Sequence, residues 1–247
     1  MRRSSLLTYW TGKDIEKEIM NLNEDSRAQY LERLWSILED GFWMNVTNEK
    51  VYGWSQVEGD TSNIDMDVPM VCFTELRLSK SQEHNKRYGL MGIVVDREFV
   101  LTRHGAPVFY IRSNSNESIV GNFVQMLFWI NDQARRGTTG AAVLLDNVQV
   151  PLSFLKAMSA SNDDDFENLN ENEWRIVHTH KRQQAGLIRV TGADRPKYKI
   201  PLLPKDVKMI VLPDSQIRDN VIQDTRIAIW FDNKYPPLLT VGEIREF

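Results

Sequence analysis

An α+β fold is what this 247-residue sequence predicts, and three features carry the prediction. Short aromatic and β-branched runs closed by glycine read as strands, LLTYWT at residues 6–11 being the first. Apolar residues at helical spacing mark separate amphipathic segments, the longest at 118–136. The two kinds of segment do not alternate regularly, and no repeat, low-complexity tract or long linker divides the chain. One α+β domain over residues 1–247 is therefore expected.

Taken in order, the strand at 6–11 ends at Gly12. A helix follows, with Ser26 as its cap, Leu31, Leu34, Trp35 and Leu38 on one face, and Gly41 closing it. Residues 45–65 are polar and rich in Asn, Asp, Gly and Ser, and read as a loop or lid. A strand at 68–76 comes next. Ser79 and Gln82 have capping-box spacing for a short helix through Tyr88, stopped by Gly89, with His84 and Tyr88 four apart on one face. Strands follow at 90–95 and 107–111, with Gly105 turning between them. Ile119, Val120, Phe123, Val124, Leu127 and Phe128 place an amphipathic helix at 118–136, ended by Gly137. Residues 141–150 read as extended, and Pro151 as the opening of a helix to about Ala160. Beyond an acidic run at 163–167, strands are expected at 173–178, 186–191, 207–212 and 226–231, with a helix at 213–223. Thr240 and Glu243 have capping-box spacing for a last short helix.

Lys and Arg number 30 against 34 Asp and Glu, a net charge of −4, which excludes a surface built throughout for nucleic acid and leaves room for a local basic patch. Cys72 is the single cysteine, so no intramolecular disulfide forms, and a reducing cytoplasm is the expected compartment. No stretch reaches the roughly 18 uninterrupted apolar residues of a membrane helix. Lys13 and Asp14 interrupt the N-terminal segment too early for a signal-peptide core.

The stretch NENEWRIV, residues 170–177, gathers the most chemistry. If 173–177 is extended, Glu173, Arg175 and Val177 share one face, while Trp174 and Ile176 take the other. Glu173 then reads either as a carboxylate held at a strand start and facing a cleft, or as the ion-pair partner of Arg175 after a solvated loop. Phosphate-binding glycine loops and a GxSxG elbow are absent. His178 and His180 would share a strand face, yet no Cys or carboxylate stands at matching spacing, so no metal site is expected. No carboxylate set has the spacing of a two-metal nuclease.

Several stretches, in order, resemble the abortive phage-resistance family AbiGi. They are Tyr9-Trp10-Thr11, residues 36–42 (SILEDGF), residues 69–75 (PMVCFTE), His84-x-x-x-Tyr88-Gly89-x-x-Gly92-Ile93, Gly105-x-Pro107-Val108-x-Tyr110, and Glu173-Trp174-Arg175. The same arrangement looks like that of ADP-ribosyltransferase-like toxins, with mixed or antiparallel sheets and flanking helices. That resemblance implies NAD as substrate, Glu173 as the catalytic carboxylate, and Tyr9, Thr11, Thr74, His84, Tyr88 and Arg175 as cofactor-binding residues. Cleaving the nicotinamide–ribose bond develops positive charge on the sugar, which a carboxylate stabilises. A nucleic acid or a protein would be the acceptor, met by residues 45–65. At the first strand many such enzymes have His-Phe-Thr, where this chain has Tyr9, a phenol that donates and accepts one hydrogen bond. The departure supports a second reading: a non-catalytic antitoxin or partner-binding member of a toxin–antitoxin pair.

Overall fold

The alternating residues of Leu6–Thr11 (β1) place that strand inside the main sheet, where both its faces are covered. The computed structural model describes residues 6–16, 18–55, 60–75, 82–111, 119–157, 168–192 and 197–245. In it β1 lies between Met91–Asp96 (β5) and Asp60–Thr74 (β4), antiparallel to both. Asn45–Ser55 (β3) is the other arm of a hairpin with β4. Val207–Leu212 (β12) and Leu238–Thr240 (β13) extend the sheet on one side. Glu173–Val177 (β9) and Ala106–Pro107 (β6) extend it on the other, in the order β13-β12-β5-β1-β4-β9-β6. The β12–β13 pairing is parallel, and the others in this sheet are antiparallel.

Two smaller sheets complete the strands. Phe42–Trp43 (β2), Arg189–Thr191 (β10) and Lys197–Ile200 (β11) pair in the order β10-β11-β2. Phe109–Ile111 (β7) runs parallel to Leu155–Ala157 (β8). With the helices below, the class is α+β, as the sequence predicts.

Glu24–Asp40 (α1) is capped by Asn23, whose Oδ1 accepts from the Ser26 amide at 2.8 Å while Ser26 Oγ accepts from the Asn23 amide at 2.9 Å. Ser26 is thus the third helical residue of the capping box, not the cap. Tyr30, Leu34, Ile37 and Leu38 pack from α1 into a core with Leu7, Phe42, Phe73, Ile93, Phe99 and Ile210. The Tyr9, Phe42, Phe73 and Phe99 rings meet at centroid distances of 4.8–6.2 Å, tilted or edge-on as aromatic quadrupoles favour.

Gln82–Tyr88 (α2) ends at Gly89, whose φ is +109°. A Cβ there would stand 2.3 Å from the Thr11 carbonyl oxygen, so only glycine lets α2 seat against the end of β1. Asp96 caps a helix the sequence did not announce, Arg97–Leu101 (α3), by accepting from the Phe99 amide at 2.8 Å. Gly105 serves by its lack of a side chain: a Cβ would meet the Arg175 carbonyl oxygen at 2.7 Å, while His104 takes the turn at φ +57°.

Four further expectations are corrected. Residues 45–55 and 60–65 are strand, not loop: β3 and β4 pair from Asn45↔Met70 to Ser55↔Asp60. Cross-strand partners in this hairpin supply what its Asn- and Asp-rich composition conceals. Residues 141–150 are helical, within Ala141–Leu152 (α5), because packing against Ile119–Arg135 (α4) overrides the strand preference of their valines. Pro151 sits in the last turn of α5, where β8 soon follows. Residues 226–231 fall mainly in Thr225–Trp230 (α8), whose cap Asp224 accepts from the Arg226 amide at 2.8 Å. There Ile227 and Phe231, four apart, are buried while Ile229 is 77% exposed, which is helical spacing hidden inside an alternating string. The expected cap Ser79 and the acidic run at 163–167 lie outside the described residues.

Candidate functional site

Register decides what surrounds Glu173. Thr8 pairs with Thr74, Thr74 with Glu173, and Cys72 with Arg175. Cross-strand partners project to the same side of a pleated sheet, so these residues share a face. Phe73 and Trp174, also paired, turn to the opposite side with the aromatic core. The alternation expected for 173–177 therefore holds, with all five residues of β9 buried.

A 3-10 turn at Asn168–Glu171 leads into β9 through Asn172, whose φ of +43° lies in the left-handed region that asparagine tolerates. Glu171 and Glu173 consequently converge on one cation. Lys156 Nζ on β8 donates to Glu171 Oε2 at 2.5 Å and to Glu173 Oε2 at 2.8 Å. Arg175 Nε donates to Glu173 Oε1 at 2.7 Å, and its Nη1 to the Ser153 carbonyl at 2.6 Å. Tyr88 OH, from α2, donates to Glu171 Oε1 at 2.6 Å. Tyr110, beside Lys156 in the β7–β8 register, accepts from the Glu173 amide at 2.8 Å.

Two carboxylates and two cations thus meet where water is nearly excluded: the side chains of Glu171, Glu173 and Arg175 are only 3%, 6% and 1% exposed. Burial alone would raise the Glu173 carboxyl, but the Arg175 guanidinium and the Lys156 ammonium outweigh it and hold that group well below the usual carboxylate range. Burial likewise works against the Lys156 ammonium, and the two carboxylates reverse it, holding its pKa above the ordinary value. The Tyr88 phenol is pushed up by burial and by Glu171. The Cys72 thiol is raised by burial and by Glu173, which leaves it an inert neutral group. His84, its ring 5.8 Å from that of Tyr88, is pushed down to about 4 by burial, with Arg87 and Lys156 adding repulsion.

Of the residues expected to form a site, Glu173, Arg175, Thr74, Tyr88 and His84 come together on or over this face. Tyr9 and Thr11 do not. Odd-numbered positions of β1 turn to the other side of the sheet, where Tyr9 packs 4.8 Å from Phe42 and Thr11 Oγ1 accepts from Arg33 Nη1 at 3.3 Å. Lys156, Glu171 and Tyr110 were missed. Lys156 is the single charged residue at 148–158 and Glu171 lies in the NENEWRIV stretch, so both carried a signal. Their convergence depends on β7–β8 pairing, which spacing does not reveal.

The other side of the β7–β8 pair is apolar. Phe109, Val150, Pro151, Phe154 and Leu155 line a recess of about 420 Å3, and Phe109 is 62% exposed. His178 and His180 do not share a strand face: Thr179 caps His180–Gln184 (α6), and the His178 ring lies 3.9 Å from that of Tyr198. No group of three or more metal-ligating side chains occurs among the described residues. Among them, too, no helix is long and apolar enough to cross a membrane.

Residues 42–213 match the family described as "Putative abortive phage resistance protein AbiGi, antitoxin". No curated protein and no solved structure matches the chain.

Proposed function

This chain belongs to the AbiGi family of abortive phage-resistance proteins, and on that premise we propose that it is the antitoxin of an abortive-infection pair, acting by binding a toxin protein. The observation that carries the reading is the enclosure of Glu173. Both its oxygens are engaged by Arg175 and Lys156, and a carboxylate so held is placed to fix strands together rather than to meet a substrate. Buried charges paired in this way set geometry more readily than they react. The apolar recess beside Phe109 is the surface we assign to the partner, since exposed apolar concavities on folded chains mark binding sites.

The test is co-purification of the full chain with its cognate toxin. Wild type and Glu173→Gln, the latter assayed below its unfolding temperature, are expected to hold the toxin equally, and Phe109→Asp to release it. Nicotinamide release from NAD by the isolated chain, abolished in Glu173→Gln, would overturn this reading. It would favour the NAD-dependent ADP-ribosyltransferase with a nucleic-acid or protein acceptor.

A further inference from the structure

β7 and β8 form a ribbon of two parallel strands with unlike faces. Phe109 and Leu155, paired in its register, line the apolar recess. Tyr110 and Lys156, the next pair, turn to the charged side. Among the described residues the ribbon shares no ladder with the main sheet. Two strands alone are marginal, and parallel pairing is weaker than antiparallel. The place of the recess wall therefore depends on what holds the ribbon from behind.

At its start the ribbon is tied by backbone and apolar contacts. The Val108 amide donates to the Glu173 carbonyl at 2.8 Å, Arg175 Nη1 to the Ser153 carbonyl at 2.6 Å, and Phe154 packs with Met70 and Val177. Beyond Phe154 the fastening is polar. Lys156 Nζ donates to Glu171 Oε2 at 2.5 Å and to Glu173 Oε2 at 2.8 Å, and Tyr110 OH accepts from the Glu173 amide at 2.8 Å. Lys156 thus joins β8 both to β9 and to the turn ahead of it by charge-assisted bonds, while its strand neighbour Leu155 stands in the recess. Its side chain is 19% exposed, so water competes little for these bonds.

Resting on the assignment of the recess to the toxin, we propose that Lys156 is a positioning residue for that surface. Its ammonium, gripped by Glu171 and Glu173, seats β8 so that Phe109 and Leu155 present a preformed wall, and it does so without touching the partner. A ribbon seated only part of the time would lower the apparent affinity in proportion to the seated fraction. Glu173→Gln leaves Lys156 on Glu171, which is why that variant should still hold the toxin.

The experiment is amide hydrogen exchange of the full chain, with titration by the toxin that the wild-type chain captures. Lys156→Met combined with Glu171→Gln removes one charge of each sign, keeps the length of both side chains and leaves Glu173 on Arg175, so the fold should hold. With this variant folded, the amides of β7 and β8 should exchange at least tenfold faster while those of β1 and β5 stay as in wild type. Toxin affinity should fall at least tenfold. Lys156→Arg, which returns a donor to both carboxylates, should restore most of the protection and most of the affinity. Wild-type exchange in β7 and β8 of the folded double variant would overturn the proposal, whatever its affinity. So would faster exchange there with undiminished affinity while Phe109→Asp releases the toxin, since the ribbon would then be loosened without consequence for the partner. Phe109→Asp that still holds the toxin is the separate failure: the recess is then not the partner surface, and the role proposed for Lys156 falls with it.

Discussion

The two faces of the β4–β9 ladder are buried to similar depth and held by opposite means. One side packs Phe73 and Trp174 with Phe42 and Phe99. The other sets Glu173 and Arg175 beneath Lys156, Glu171 and Tyr88. The aromatic side is stabilised by area removed from water, so losing part of a ring costs in proportion to what is lost. The charged side is all-or-nothing: each ion is tolerable there because its partners are present. Removing one member should therefore hurt more than removing a larger apolar group.

The sharpest test is Arg175→Met. It removes one cation from a balanced set and leaves Glu173 on Lys156 alone, at a cost of about 3–5 kcal/mol in denaturant unfolding. Adding Glu173→Leu should recover much of that loss, because Lys156 and Glu171 remain as a neutral pair. A double variant as unstable as the sum of the two singles would show that the ion pairs are not coupled and break the comparison.

Two smaller changes sharpen it. Tyr88→Phe deletes one hydrogen bond to the Glu171 carboxylate and should cost about 2 kcal/mol. Phe42→Leu keeps an apolar side chain in the aromatic group and should cost about 1 kcal/mol, with no dependence on pH. A Phe42→Leu loss exceeding that of Tyr88→Phe would reverse the ranking of the faces.

The sequence displays the aromatic side better than the charged one, for a physical reason. Alternation in 173–177 is local, and it correctly separates Trp174 from Glu173. Membership of the charged cluster is not local. Lys156 reaches Glu173 through pairing between β7 and β8, and Tyr88 reaches Glu171 across 83 residues. Tyr9 and Thr11 were grouped with Glu173 by resemblance to transferases, and the register of β1 against β4 parts them. The helices at 141–152 and 225–230 were hidden by β-branched and alternating apolar residues whose helical packing depends on distant partners.

Acid offers the finest separation, because the charged face holds two groups that titrate in different windows. His84 is held neutral at about 4 against an ordinary 6.5, so between those values the unfolded chain binds the extra proton. Its contribution is complete above pH 6.5 and declines as pH falls toward 4. Glu173 is depressed below its ordinary 4.5, so its contribution is complete above that value and is lost only in more acidic solution. Unfolding free energy followed downward from pH 7 should thus fall in two stages. His84→Gln is expected to shrink the upper stage, whose remainder belongs to His178, also held below its ordinary value by burial, and to leave the lower, whereas Phe42→Leu should displace the whole curve without changing its shape. An upper stage undiminished by His84→Gln would assign that titration to His178, and the charged face would then owe its acid sensitivity to its carboxylates alone.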